Sequence, residues 1–216
     1  MLRSQQLSWM ICGLAIFALS SDMANAQQRG AGMRGSQNRA RFELATLPEV
    51  QAELKLTDEQ KKLASDLLAK QREKRQSLGN SQEGRQELAT LNTSSDAQFV
   101  AKLNDAQKTR LNGLLVQVNG GAALLDPEIA KALKLSDDEI SKLKTANQAN
   151  QAARREAFQG LQDQSQEQRA EAMRKLNEKE TESLLAVISE EHKKAFAELK
   201  GAPLTIDQAP LRVRRN

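Results

Sequence analysis

The 216-residue chain has no tyrosine, one tryptophan, one cysteine and one histidine, and aromatic residues make up only 3% of it. Trp9 and Phe17 lie near the N-terminus, which leaves Phe42, Phe99, Phe158 and Phe196 for everything beyond. A β-sandwich or β-barrel of this length draws heavily on aromatic and β-branched side chains, so the composition argues against those folds. A lone cysteine, Cys12, permits no disulfide within the chain. Acid–base, nucleophilic and zinc chemistries most often use histidine or cysteine. Asp and Glu are plentiful, but no motif selects a catalytic pair, and no glycine-rich phosphate loop follows a strand pattern. The expectation is a non-enzymatic protein, acting by binding and needing no cofactor.

Ala, Leu, Gln, Glu, Lys and Arg dominate, and all are good helix formers. An all-α fold follows. The net charge of +4 is unevenly placed. Residues 27–45 hold four Arg against one Glu, and residues 203–216 three Arg against one Asp, while the stretch between them is close to neutral.

Residues 1–26 have the layout of a secretory signal peptide. Arg3 charges the start, and an apolar run from Trp9 to Leu19 follows. Ala24 and Ala26 place small residues for cleavage before Gln27. Eleven apolar residues are too few for a bilayer-spanning helix, which needs roughly 20. The chain is therefore expected to be exported, to the periplasm or beyond. Its mature form, from Gln27, would contain no Cys, Trp or Tyr.

Internal duplication is the strongest pattern. Pro48, Glu49, Val50, Leu54, Lys55, Leu56, Thr57 and Asp58 match Pro127, Glu128, Ile129, Leu133, Lys134, Leu135, Ser136 and Asp137 at a constant offset of 79. A second pair, Leu103 to Leu111 with Leu114 against Ile188 to Phe196 with Leu199, is offset by 85. The reading is a repeat over 46–121 and another over 122–202. Segments 27–45 and 203–216 flank them as disordered tails, low in apolar content and rich in Arg, Gly, Gln or Pro.

Each matched motif is a helix start. Thr57, Asn104, Ser136 and Ser189 suit the N-cap, where a side-chain oxygen accepts an orphan backbone N–H. Acidic residues follow each of them, as the helix dipole favours. Gln60 and Glu139 stand three residues after their caps, as in a capping box. Leu56, Leu103, Leu135 and Ile188 precede the caps as hydrophobic staples. Breaker clusters predict loops at 79–84, 92–95, 119–121 and 158–160. The long central helices are polar around much of their circumference, as in helices that bridge solvent or lie on a partner.

Leu56-Thr-Asp-Glu-Gln60 and Leu103-Asn-Asp-Ala-Gln107 resemble the Leu-Thr-x-x-Gln motif of the Spy/CpxP family of small helical periplasmic proteins. Leu135-Ser-Asp-Asp-Glu139 and Ile188-Ser-Glu-Glu-His192 keep the cap and lose the Gln. The resemblance spans about 46–200. It implies an elongated, antiparallel, cradle-like helical assembly and an ATP-independent chaperone or envelope-stress adaptor. The partners implied are unfolded or envelope client proteins, or a membrane-bound sensor. Two fused repeats could form within one chain the pair that a dimer forms from two, so monomer and homodimer both stay open.

The alternatives are a metal- or envelope-stress sensor and a structural envelope protein. His192 is the candidate metal ligand, though it also reads as a variant of Gln107 at a helix start. The Arg/Gly content of 29–41 is that of nucleic-acid-binding tails, but no aromatics interleave for base stacking. No nucleic-acid partner is expected, and an anionic surface is the remaining possibility for the tails.

Overall fold

Nine α-helices and two short 3-10 segments, with no strand, make up the described residues, 39–78, 81–161 and 164–211, of this computed structural model. The expected signal peptide, its cleavage residues Ala24, Ala26 and Gln27, and residues 28–38 lie outside the described residues. The all-α expectation holds.

The same order of elements occurs twice. A short helix α1 (Arg41–Leu44), a proline-led helix α2 (Pro48–Leu54), a long hairpin of α3 (Asp58–Leu78) and α4 (Gln82–Val100), and a closing helix α5 (Asp105–Asn119) form the first set. A 3-10 segment (Gly120–Leu125), α6 (Pro127–Ala132), the hairpin α7 (Asp137–Gly160) and α8 (Gln166–Leu185), and α9 (Glu190–Leu199) form the second.

Local chemistry explains the shared boundaries. Pro48 and Pro127 occupy the first turn of α2 and α6, where a missing N–H costs nothing. Both helices end on a lysine in left-handed backbone, Lys55 at φ 49 and Lys134 at φ 55. The next residue then bonds back five places: Leu56 N–H to Gln51 O and Leu135 N–H to Ala130 O, each 3.0 Å. These bonds satisfy otherwise orphaned helix carbonyls. Lys without a glycine's freedom carries a strain of about 1 kcal/mol in that conformation, and both repeats carry it at the same place.

The extra residues of the second set are localised. Helix starts 58 and 137 differ by 79, helix ends 78 and 160 by 82, caps Ser81 and Ser165 by 84, and helix ends 100 and 185 by 85. The insertion therefore sits around the α7–α8 turn. In each hairpin the two helices run antiparallel. Lys74 pairs with Glu87 at 2.5 Å while Gln71 reaches Asn92 at 3.0 Å. Arg154 pairs with Glu180 at 2.5 Å while Asn150 reaches Ser183 at 2.7 Å. Advancing along one helix means receding along the other.

The hairpins bury little, and the apolar core lies beneath them. Phe42, Leu44, Leu47 and Val50 join Phe99, Leu111, Leu114, Leu115, Ile129, Leu143 and Leu184 in one connected cluster. Helix α5 packs on α1, α2, the 3-10 segment and α9, so it is shared by both sets. Gly113 permits this: a Cβ there would lie 2.5 Å from the Leu199 carbonyl oxygen.

Several expectations need correction. Helix α1, from Arg41, and the 3-10 segment, from Gly120, each pack against the hairpin of their own set. The segment 27–45 is therefore not wholly a tail: Arg41 through Ala45 are buried. The segment 203–216 is docked over part of its length, with Leu211 5% exposed, while 212–216 lie outside the described residues. Residues 92–95 and 158–160 are helical, not loops. Asn92 is half-buried against Gln71, and packing within the hairpin overrides its turn propensity.

Candidate functional site

The four helix starts meet in two pairs. Thr57 and Gln60 form a reciprocal box: Gln60 N–H donates to Thr57 Oγ1 at 3.2 Å, and Thr57 N–H donates to Gln60 Oε1 at 3.0 Å. Asn104 and Gln107 do the same, at 2.9 and 3.1 Å. The two glutamines then face each other. Gln60 Nε2 donates to Gln107 Oε1 at 3.1 Å, and Gln107 Nε2 donates to Gln60 Oε1 at 3.2 Å. Their remaining donor capacity goes to the carbonyls of Lys102 (2.7 Å) and Leu54 (3.1 Å). An amide suits this junction because it donates and accepts at once. Leu56 and Leu103 are buried on either side.

The second set replaces that amide pair with Glu139 and His192, at the same register. Glu139 is 8% exposed and caps both helices. Its Oε2 accepts from Ser136 N–H (2.9 Å) and Ser136 Oγ (3.0 Å). Its Oε1 accepts from Ser189 N–H (2.9 Å) and contacts His192 Nδ1 (2.8 Å). Burial pushes the Glu139 carboxyl up, but the bonds from Ser136, His192 and Ser189 outweigh it and hold it down at about 2. Ser189 Oγ accepts from His192 N–H at 3.2 Å, completing the α9 start. Leu135 and Ile188 are the buried staples here.

Among the described residues, no group of three or more His, Cys, Asp or Glu side chains converges as a metal site. His192 has a single carboxylate neighbour, and both oxygens of that carboxylate are already engaged. Among the described residues, no helix is long and apolar enough to cross a membrane.

A second polar cluster has no precedent in the motifs. Arg41, 2% exposed, joins both sets. Its Nη1 contacts Asp96 (2.7 Å) and Asp126 (2.8 Å), its Nη2 contacts Asp126 (2.5 Å), and its Nε donates to Asn112 (2.8 Å). Asp126 meanwhile caps α6 through Glu128 and Ile129 N–H. Burial pushes Asp96 up, and Arg41 offsets part of that rise. The signal available in the sequence was Asp126 directly before Pro127, a cap before a first-turn proline. Nothing marked Arg41, which sits in an Arg-rich stretch that reads as solvated. Beside it, Gln71 Nε2 donates to Glu43 and to Asn92.

The solvent face of α7 carries an open depression lined by Gln151, Arg154, Arg155, Phe158 and Gln159. Phe158 is 47% exposed, whereas Phe42, Phe99 and Phe196 are buried. Arg154 ties α7 to α8 through Asn177 (2.6 Å) and Glu180 (2.5 Å), yet its Nη1 is buried without a hydrogen-bond partner. Arg155 is exposed and has no hydrogen bond or ion pair among the described residues.

Neither protein-family models, nor curated proteins, nor solved structures give a match to this chain.

Proposed function

We propose that this chain is an exported, non-enzymatic protein-binding protein, acting as an ATP-independent periplasmic chaperone or envelope-stress adaptor for unfolded client segments. The observation that carries the reading is the contrast among its aromatics. Three of the four outside the N-terminal segment are buried, and the fourth, Phe158, stands half-exposed on a long polar helix, lining a depression with Arg154 and Arg155. Among the described residues Phe158 is the one large apolar side chain left exposed, and it lies in the open depression on α7. The hairpins around it present long Lys, Arg, Glu and Gln side chains, whose alkyl stems cover apolar surface while their heads stay wet. Such a surface grips apolar segments weakly. The resemblance of the capped motifs to the Spy/CpxP pattern and the layout of residues 1–26 support the same reading.

The test is a client-aggregation assay with protein purified after export. Delayed aggregation of a reduced or heat-unfolded client at near-stoichiometric ratios, without nucleotide, is the expected result. No delay at any ratio overturns the reading.

A further inference from the structure

We infer that the two basic end segments, 27–38 and 212–216, leave the folded body at one place and together form a docking patch for an anionic phospholipid membrane.

The described residues bring the two ends together. Arg39 is pinned to the end of α5: its N–H donates to Asn119 Oδ1 at 2.9 Å, and Asn119 Nδ2 donates to its carbonyl at 3.0 Å. The stretch 203–211 returns from α9 to the same place. Leu204 N–H donates to Gln117 Oε1 at 3.0 Å, Arg72 Nη2 donates to the Pro210 carbonyl at 3.1 Å, and Leu211 is buried. Arg39 Nη1 then donates to the Leu211 carbonyl at 3.3 Å, across 172 residues of sequence. The described chain thus begins and ends at one contact.

Charge at that contact is mostly of one sign. Residues 27–38 hold Arg29 and Arg34, residues 212–216 hold Arg212, Arg214 and Arg215, and neither segment holds an Asp or Glu. The folded surface adds to them. Arg72 is exposed, and Arg75 follows one turn later on the same face of α3. Neither has an ion pair among the described residues. Of the carboxylates beside them, Glu43 is occupied by Arg39 and Gln71, and Asp207 by Ala209 N–H. Glu73, next to Arg72 in sequence, lies about 100° away round the helix.

A flat anionic surface suits this arrangement. Basic residues beside such a membrane add to binding without any fixed partner, and a cluster of about four to eight is enough to dock. Neither segment has an aromatic residue, which disfavours single-stranded nucleic acid. Two arms from one point reach the same surface together, so binding of one raises the effective concentration of the other. Arms at opposite poles would gain nothing of the kind. The inference goes beyond the protein-binding reading and does not depend on it.

The test is co-sedimentation of the chain, purified after export, with vesicles of about one-third phosphatidylglycerol in phosphatidylcholine. Each arginine near the surface is worth about fivefold in partitioning. Arg29→Gln with Arg34→Gln should therefore weaken binding about 25-fold, and Arg212→Gln, Arg214→Gln and Arg215→Gln together about 100-fold. The same positions changed to Lys should bind within about threefold of wild type, since the charge is kept. Binding should fall with added salt and be absent from pure phosphatidylcholine vesicles. The decisive comparison is between one arm neutralised and both. If either arm is dispensable at a cost below about twofold and only the combination abolishes binding, the arms act one at a time, and the inference is overturned. Equal binding to phosphatidylcholine, or tighter binding to a single-stranded oligonucleotide than to the anionic vesicles, overturns it too. Variants that no longer bind vesicles should still protect a client in the aggregation assay, so either reading can fail alone.

Discussion

Glu139 and His192 meet at 2.8 Å at the register that Gln60 and Gln107 hold in the first set. Both pairs tie the start of a long hairpin helix to the start of a closing helix. The chemistry differs. In the glutamine pair each amide oxygen caps its own helix and receives the other amide's N–H. In the second pair one carboxylate caps both helices, and two helix N-termini point partial positive charge at it. The junction has moved from a reciprocal neutral link to one anion with four donors.

Replacing Glu139 by Gln should therefore cost more than its size suggests. The carboxylate uses both oxygens as acceptors for backbone N–H groups, and an amide turns one of them into a donor facing a donor. A loss of about 2 kcal/mol is expected, as for a buried group left unsatisfied. Adding His192→Gln should recover part of it, since the glutamine pair of the first set is then rebuilt. Urea unfolding of the two singles and the double completes the cycle. Strict additivity would show that the two positions do not act as one junction.

Acid should act through the same carboxylate. Glu139 is held at about 2, below the ordinary 4.5. A depressed carboxylate stabilises the fold above its unfolded value, and that contribution is lost as pH falls through the folded one. The window is thus pH 4.5 down to 2, and the contribution at neutral pH is about 3 kcal/mol as an upper figure. Thermal midpoints taken across that window should fall more steeply for wild type than for Glu139→Gln. Parallel curves would remove Glu139 from the acid response.

Much of the fold was legible because its signals are local. Caps at Thr57, Asn104, Ser136 and Ser189 and the first-turn prolines are decided within one helical turn, and each stands where the sequence placed it. The duplication exposed the two matching sets. What the sequence did not show was long-range. Arg41 lies in a stretch whose composition predicts a solvated tail, and only Asp96, Asn112 and Asp126, from three distant places, make it a buried hub. The meeting of Gln60 with Gln107 depends on how α3 and α5 begin side by side, which no single window encodes. Asn92 carries turn propensity and is helical, because Gln71 on the facing helix satisfies its side chain.

The Arg41 hub ties α1 to α4, α5 and the start of α6. Arg41→Ala leaves the largely buried Asp96 and Asp126 without their shared cation, and breaking a buried pair on one side costs about 3 kcal/mol. A chain started at residue 46 removes Phe42 and Leu44 from the core as well. It should show no cooperative thermal transition. Circular dichroism melts separate the cases: a stable, cooperative 46–216 fragment would mean that α1 is dispensable.

The packing of the two sets on each other is most sharply tested at two glycines. Gly113 faces the end of α9, and a methyl group there would press on the Leu199 carbonyl at 2.5 Å and the Lys200 carbonyl at 3.2 Å. Both are backbone atoms, so neither can swing aside. Gly160, at the end of α7, has nothing within 4 Å of an added Cβ. Gly113→Ala must separate α5 from α9 to fit, and overpacking of this kind costs about 1–3 kcal/mol. Gly160→Ala gains helix propensity, since Gly is about 1 kcal/mol worse than Ala within a helix, and should be neutral or slightly stabilising. The ordering of the two thermal midpoints is the measurement. If Gly113→Ala matched Gly160→Ala, the close approach of α9 to α5 would not exist in solution, and the two sets would not be held together at that contact.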